Sequence, residues 1–259
     1  MLFVCSKSTR AMLPDIERVK IVKSPVQKSE LDLLYRSEEE VIAIGGGAVI
    51  DTAKIICKRP IVCYPTTAAG SSNTSHSVYW DGTDKFSIST PKPEKVIIKE
   101  EYINSIPENI FINTKADAIS HCYDSLISIF ANNYSRDRAM FALSLLEKSD
   151  LKSTILAGCE AGEAINITST NVLHALSYPL TGMFGIKHGR ALLHLLHSLK
   201  YEPEFYFIDE KILPACPAPL NFDFESVKLL SMAAASYDKL HQSRISINLK
   251  KIKKIYERI

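Results

Sequence analysis

Residues 39–58 read EEVIAIGGGAVIDTAKIICK, an apolar run that passes straight into three glycines and then into a second apolar run. The β-branched residues before the glycines predict a buried strand, and the run after them predicts a helix. The next segment, PIVCYPTT (60–67), predicts another strand. Strand, helix and strand in this order, with apolar strands, indicate a parallel α/β sheet covered by helices.

Two turns at the ends of these strands form the candidate nucleotide site. Glycines 45–47 let the backbone approach a ligand closely, and the following helix presents free N–H groups to a phosphate. The turn after the next strand, TTAAGSS (66–72), is rich in hydroxyls and glycine. Open α/β sheets bind nucleotides at neighbouring strand ends of this kind. The glycines do not match the GxGxxG fingerprint, so a tight turn without a ligand remains the alternative.

The character of the sequence changes near residue 105. Before it lie strand patterns and a hairpin pattern, SVYWDGTDKFSIS (77–89). From Thr114 onward the apolar spacing is helical to the end. We therefore predict an α/β dinucleotide-binding domain over 1–105 and an all-α metal and substrate domain over 106–259.

Composition limits the classes of function. The 259 residues are 46% hydrophobic and 23% charged with a formal net charge of +2, so no basic face suggests nucleic acid or a membrane surface. No apolar run reaches the roughly 20 residues that span a bilayer. The six cysteines form no CxxC pair, which predicts free thiols in a reducing cytoplasm.

Asp117 and His121 are the first candidates for metal chemistry. Four positions apart on a predicted helix, they share a face. A carboxylate and an imidazole from successive turns reach the same point, which makes the pair half of a divalent-metal site. A solvated stripe is the alternative for such a pair in isolation.

The stretch HALSYPLTGMFGIKH (174–188) supplies two further imidazoles. Pro179 predicts that the helix carrying His174 ends soon after it. His188 precedes Gly189 and an apolar run, so it lies near the start of the next helix. A helix end, a tight loop and a helix start bring both rings to one point, which completes a ligand set for Zn²⁺ or Fe²⁺.

Four segments resemble motifs of the iron-containing alcohol dehydrogenase family, which includes glycerol dehydrogenases and is related to dehydroquinate synthases. The segment AGEAINITSTNVLHALSYPLTG (161–182) is most similar to the branch that holds phosphonoacetaldehyde reductases. The resemblance implies a dehydroquinate synthase-like fold in a chain shorter than is usual for the family. The four segments are GGGAVIDTAK (45–54), YPTTAAGSSN (64–73), ADAISHCYD (116–124) and HALSYPLTGMFGIKHG (174–189).

The resemblance also implies roles for individual residues. The metal ligands are Asp117, His121, His174 and His188. The residues that bind the cofactor are Gly46, Gly47, Asp51, Thr66, Thr67 and Ser71.

Two positions depart from the pattern of many family members. Many carry an acidic residue near the end of the first strand that holds the ribose of NAD, whereas this chain has Ser6, with Lys7 and Arg10 nearby. We therefore expect NADPH ahead of NADH. Many carry a further histidine where this chain has Tyr178, which becomes the candidate proton donor.

The expected function is metal-dependent reduction of a small, anionic aldehyde or ketone to an alcohol, with a nicotinamide cofactor. Lys85 and Arg190 are the candidates for holding the anionic group, because cationic side chains match phosphonate or phosphate oxygens. The alternatives are a lyase or cyclase of the dehydroquinate synthase kind and a shortened, non-catalytic relative. A homodimer is a further expectation.

Overall fold

The computed structural model describes residues 1–32, 40–82, 84–104 and 106–259. The strands of these residues are β1 (Leu2–Cys5), β2 (Val19–Ile21), β3 (Val41–Gly45), β4 (Val62–Pro65), β5 (His76–Asp81), β6 (Asp84–Ser89) and β7 (Lys95–Val96). Five of these described strands form one parallel sheet in the order β2-β1-β3-β4-β7. The predicted parallel sheet is confirmed, and β5 and β6 form the predicted antiparallel hairpin beside it.

Helices connect the strands and make up most of the chain after them. The helices in the described residues are α1 (Lys7–Arg10), α2 (Lys28–Asp32), α3 (Gly47–Ile56), α4 (Glu100–Ile103), α5 (Glu108–Ile127), α6 (Asn133–Glu147), α7 (Leu151–Thr168), α8 (Val172–Phe184), α9 (His188–Leu199), α10 (Phe224–Ala235) and α11 (Leu249–Glu257). A sheet region followed by a helical region is the predicted fold class, which is confirmed.

The central strand β3 explains why the first stretch is so apolar. It pairs with β1 on one side and β4 on the other, so its edges are both occupied. Val41, Ala43 and Ile44 are buried, and Val49 and Ile50 of α3 join the same core. A parallel strand covered on both faces reads as a continuous apolar run rather than an alternating one.

The register of β3 and β4 brings the two candidate nucleotide turns together. Gly45 is paired with Pro65 at the carboxyl ends of the two strands. The Thr66 N–H donates to the Gly45 carbonyl oxygen at 3.0 Å, which extends the pairing into the turn. Both turns therefore leave the same edge of the sheet side by side.

The helical region has its own core, to which α9 contributes a set of buried leucines. Gly189 lies where α9 crosses α5, and a Cβ there would collide with the backbone carbonyl of Asn113. The absence of that side chain lets the two helices approach closely. The fully or almost fully buried leucines of α9 are Leu192, Leu193, Leu195, Leu196 and Leu199.

Two predicted helix bounds are wrong. The helix with Asp117 begins at Glu108, after Pro107, and not at Thr114. His174 lies in the first turn of α8, not at a helix end, and Pro179 lies inside that helix.

The helical conformation is interrupted between α7 and α8 and not at Pro179. Ser169 has a φ of 57°, and a new helix starts after Asn171, whose side chain accepts from the Val172 N–H. Proline inside a helix costs about 3 kcal/mol, which the burial of α8 and the capping of its first turn offset. The helix ends only at Gly185, in a left-handed conformation.

Some predictions fall on residues outside those described. Ser105, at the predicted domain boundary, is one of them, so the division into 1–105 and 106–259 stays a prediction. Residues 33–39 and Thr83 are the others.

The cysteines and the helices allow two further statements. All six cysteines are free; Cys216 is exposed and the others are buried. Among the described residues, no helix has the length and apolar character needed to cross a bilayer.

Candidate metal centre and cofactor cleft

The three imidazoles among the four predicted metal ligands all lie near one carboxylate oxygen of Asp117, with that of His188 the farthest from it. Asp117 Oδ1 lies 3.6 Å from His121 Nε2, 3.4 Å from His174 Nε2 and 3.7 Å from His188 Nε2. The donor atoms of Asp117, His121 and His174 all lie within 4.8 Å of one another. One carboxylate and three imidazoles facing a common point form a donor set that suits Zn²⁺ or Fe²⁺.

Three helices position these side chains. Asp117 and His121 come from successive turns of α5, as their spacing predicts. His174 comes from the first turn of α8, and His188 is the first residue of α9. Because Gly189 lets α9 lie against the backbone of α5, the His188 ring comes within reach of the α5 ligands.

Asp124 orients His174 and caps α8 at the same time. Its carboxylate is fully buried, and Oδ2 lies 2.8 Å from Nδ1 of His174. The same carboxylate accepts backbone N–H groups from Asn171 at 2.9 Å, Leu173 at 2.9 Å and His174 at 3.3 Å. A proton on Nδ1 leaves the Nε2 lone pair of His174 facing the cluster. Sequence reasoning missed this role, although Asp124 follows His121 on the same helix.

The electrostatics of the cluster favour a cation. Burial alone would raise the pKa of Asp117, but the neighbouring imidazoles hold it well below its usual range. Burial lowers the pKa of His121 to about 4 and that of His188 well below its ordinary value. Burial opposes a charge on His174 as well, yet the carboxylates of Asp117 and Asp124 raise its pKa to about 9. Metal binding requires an ionised carboxylate and neutral imidazoles, so a cation that enters the cluster would also have to displace the second proton of His174.

Two donor atoms of the cluster are buried without a hydrogen bond of normal geometry. They are Asp117 Oδ1 and His174 Nε2. A buried polar atom left unpaired costs about 1–3 kcal/mol, and more when it is charged. A divalent cation among the four ligands would satisfy both atoms, so these residues fit a metal ion.

The glycine turn and the four predicted metal ligands, here called the ligand cluster, line the same cavity. This cavity has a volume of about 980 Å³. Gly47, Asp51 and Ser71 lie on its wall near the sheet edge. Asp117, His121, His174 and His188 lie on the wall made by the helices. A dinucleotide bound along the first wall would therefore face the second.

Close packing holds the two turns against each other. A Cβ on Gly46 would lie 3.0 Å from Thr67 Oγ1, and a Cβ on Gly47 would lie 3.1 Å from Ser71 Oγ. Any larger residue at these positions would push the turns apart. The N-cap residue Gly46 also makes no side-chain cap, so the first N–H groups of α3 keep no side-chain partner there.

Two glycines of α7 dock the second turn onto the helical region. A Cβ on Gly158 would collide with the Ala68 carbonyl, and one on Gly162 would collide with the Gly70 carbonyl. Gly70 itself lies next to His121, since a Cβ there would be 3.4 Å from His121 Nδ1. The turn is thus fixed between the sheet edge and the candidate metal centre.

Asp51 and Lys54 tie α3 to the chain that follows the second turn. Lys54 Nζ lies 3.3 Å from Asp51 Oδ1 and donates to the carbonyl oxygens of Ser71, Thr74 and His76. Both side chains are buried, and burial raises the pKa of Asp51 and lowers that of Lys54. The pair therefore holds the cofactor-side turn in place through buried contacts.

The remaining predicted cofactor residues lie around this wall rather than on it. Thr66 is buried in the turn, and Thr67 packs on Gly46 behind the cavity surface. Ser6 follows β1, the strand beside β3, and caps α1 by accepting from the Thr9 N–H. No contact in the structure tests the roles of these residues toward a cofactor, which stay predictions.

Tyr178 lies on the cavity wall one turn after His174. Its ring stacks on that of His188, with centroids 6.3 Å apart. Burial would raise the pKa of Tyr178, but the amines of Lys85 and Lys239 lower it to about 8. An acidified hydroxyl beside the ligand cluster suits a proton donor.

The two predicted anion-binding residues differ in their placement. Lys85 lines the cavity, whereas Arg190 is exposed and does not line it. Lys239 and Thr170 line the cavity too, and sequence reasoning missed both. Thr170 lies within the segment 161–182 that carries the family resemblance, whereas Lys239 lies in none of the quoted motifs and comes beside Tyr178 only in the folded chain.

Comparison with known proteins identifies relatives of this chain, although no family model matches it. The probable alcohol dehydrogenase EutG of Salmonella typhimurium is 25% identical over 197 residues, which cover 61% of this chain and 50% of the relative. The chain spans about half the length of the first curated relatives that it matches.

Solved structures match more of the chain. An iron-containing alcohol dehydrogenase from Corynebacterium glutamicum superposes with a TM-score of 0.85 at 16% identity, covering 99% of this chain and 86% of the other. This chain is a relative of the iron-containing alcohol dehydrogenases and has their fold. Another such neighbour is the sulfoacetaldehyde reductase from Bifidobacterium kashiwanohense in complex with NAD⁺, with a TM-score of 0.82, 21% identity and coverage of 98% and 89%.

Proposed function

We propose that the chain reduces a small aldehyde or ketone to an alcohol, using a nicotinamide cofactor and a divalent cation, Fe²⁺ or Zn²⁺. The observation that carries this proposal is that the glycine turn and the ligand cluster line one cavity. The reaction balances as carbonyl compound plus NAD(P)H plus a proton giving alcohol plus NAD(P)⁺. Because the similar proteins include a probable dehydrogenase and a reductase, we expect the reaction to run in both directions.

The side chains of the cavity have distinct tasks in this reaction. When bound, the cation polarises the carbonyl group and the nicotinamide supplies the hydride. Asp117, His121, His174 and His188 hold the cation. Gly47, at the N-terminus of α3, and Ser71 would border the pyrophosphate of a bound dinucleotide. Tyr178 Oη delivers the proton to the substrate oxygen.

The choice of cofactor rests on the end of β1. In many family members a carboxylate at the position that matches Ser6 holds the ribose hydroxyls of NAD, so we expect NADPH to be preferred over NADH. Arg10, four residues after Ser6, lies 3.6 Å from the exposed Asp15. A 2′-phosphate would exchange that carboxylate for a stronger partner. Measured kcat/KM values for NADPH and NADH, in the parent protein and in Arg10→Gln, test this preference.

The main experiment measures metal content and cofactor consumption on the same preparation. Purified protein is loaded with Fe²⁺ or Zn²⁺, and NADPH and NADH oxidation is followed with small aldehydes while the alcohol product is quantified. One alcohol formed for each NAD(P)H oxidised supports the proposal.

Two other outcomes identify the alternatives. Product formation without net cofactor consumption indicates a lyase or cyclase of the dehydroquinate synthase kind. Metal binding without any nicotinamide binding indicates a non-catalytic relative. Sedimentation of the same preparation tests the expected homodimer.

A further inference from the structure

Tyr178 lies beside two lysine amines in the cavity. Lys239 Nζ donates to Thr170 Oγ1 at 2.8 Å and to Tyr178 Oη at 3.3 Å. Lys85 Nζ lies 5.1 Å from the centroid of the Tyr178 ring. All four side chains line the cavity that contains the ligand cluster. Two positive charges, one from β6 and one from the chain after α10, therefore come together beside the candidate metal centre.

Neither amine has an acidic partner. Within the part of the chain that the structure describes, Lys85 and Lys239 form no ion pair with a carboxylate. Asp84 and Asp238 also line the cavity, but both are exposed. The buried Lys54 of α3 shows the contrast, because its amine contacts a carboxylate and three backbone carbonyls. The two lysines at Tyr178 retain charge that a ligand can use.

We propose that Lys239 Nζ and Thr170 Oγ1, together with Lys85, form a subsite for the anionic group of a short aldehyde or ketone. This inference rests on the proposed function and specifies its substrate class. Tyr178 follows His174 by four residues, which is about 6 Å along the helix. The anionic group and the carbonyl group are thus only a few bonds apart in the substrate.

The chemistry of the subsite explains why an oxyanion fits it. A lysine amine supplies a compact positive charge, and the Thr170 hydroxyl, whose oxygen accepts from Lys239, still has its own proton to donate. Carboxylate, sulfonate and phosphonate groups share the acceptor oxygens that these donors need. A neutral alkyl group has no acceptor to offer, and its binding would leave the amines unpaired.

The test compares two aldehydes of equal carbon number, 4-oxobutanoate and butanal, in the metal-loaded protein. Lys239→Gln removes the charge and keeps a polar side chain. We expect it to lower kcat/KM for 4-oxobutanoate by about 10- to 100-fold, mainly through KM, because one charged hydrogen bond is lost. The value for butanal should fall much less, because butanal makes no contact with the amine and is affected only through the change at Tyr178. Lys239→Arg restores much of the preference for the anionic aldehyde.

Lys228→Gln is the matched control, because Lys228 is exposed on α10 and lies outside the cavity. It makes the same change in net charge, and it leaves both kcat/KM values unchanged. An equal loss for both aldehydes in Lys239→Gln would overturn the proposal, since it would mean that Lys239 only adjusts Tyr178. An equal loss for 4-oxobutanoate in Lys228→Gln would also overturn it, because net charge alone would then explain the preference.

Binding of ethanesulfonate, which cannot be reduced, provides a readout without turnover. Calorimetry should show binding to the parent protein and a loss of at least tenfold in affinity for Lys239→Gln. If neither aldehyde is reduced while ethanesulfonate binding depends on Lys239, the proposed function fails and the subsite stands. If butanal is reduced and neither 4-oxobutanoate nor ethanesulfonate is favoured, the subsite fails and the proposed function stands.

Discussion

The two walls of the cavity are made from different parts of the chain. The wall at the sheet edge depends on the close packing of two turns, because Gly46 and Gly47 lack the side chains that would separate them. The wall made by the helices consists of side chains, with a carboxylate and three imidazoles facing one point. The first wall depends on the absence of side chains at two glycines. The second depends on the presence of four side chains with the right donor atoms.

This difference predicts that the walls fail separately. Added volume at the sheet edge disturbs cofactor binding and leaves metal binding intact. Loss of a donor among the helices removes the metal and leaves the nucleotide turns in place. Single substitutions in each wall test whether cofactor binding and metal binding are independent.

The largest effect is expected from His174→Ala, which removes a donor from the helical wall. Metal content should fall to background and turnover by at least about 10³-fold, because the remaining donors no longer complete the coordination. Elemental analysis and NAD(P)H oxidation measure both. His241→Ala, which removes an exposed imidazole outside the cavity, serves as the control. Full metal content in His174→Ala would refute its assignment as a ligand.

Lys54→Met tests the sheet-edge wall at its buried ion pair. The substitution leaves the carboxylate of Asp51 buried without its partner, which costs about 3–5 kcal/mol. Chemical denaturation should show this loss in the free energy of unfolding. Lys250→Met, at an exposed position on α11, is the comparison variant. A nearly unchanged free energy of unfolding in Lys54→Met would mean that Asp51 takes up a proton at little cost.

Asp124→Asn tests whether one carboxylate serves both the start of α8 and the ligand His174. We expect a loss of about 1–3 kcal/mol in stability and a 10- to 100-fold weaker metal affinity. Asp150→Asn is the matched control, because Asp150 caps α7 through the Ser153 N–H and touches no ligand. That variant should lose at most about 1 kcal/mol and keep its metal affinity. Unaltered metal affinity in Asp124→Asn would show that His174 needs no orienting partner.

Gly162→Ala is expected to have the smallest effect and is the sharpest test of independence. Alanine gains about 1 kcal/mol of helix propensity over glycine, so any net loss must come from the collision with the Gly70 carbonyl. Shifting the turn should weaken nicotinamide binding several-fold, measured by fluorescence titration. Metal content should stay at the level of the parent. A parallel fall in metal content would instead show that the position of Gly70 beside His121 couples the two walls.

The sheet-edge wall could be predicted from the sequence because its residues are close together in the chain. The strand of 41–45, its glycines and the following helix are contiguous, and their apolar spacing and glycine content predict the structure directly. The pair Asp117 and His121 was accessible for the same reason, since one helix carries both.

The predictions were wrong where contacts between distant parts of the chain determine the structure. Pro179 predicts a helix end, yet the capping of α8 by a carboxylate from another helix allows that helix to start late and continue past the proline. Arg190 was favoured because it is next but one to His188, whereas Lys239 is 61 residues from Tyr178 along the chain and reaches it only in the fold. Sequence proximity to a ligand does not indicate which way a side chain points.

The convergence of α5, α8 and α9 on Asp117 has a consequence for how the protein unfolds. A cation held by all four donors would be a reversible cross-link between α5 and the consecutive helices α8 and α9, and it would close the long segment between His121 and His174. Exposure of the protein to a chelator should therefore make the whole helical core more accessible to proteases and to hydrogen exchange, not just the residues around the ion.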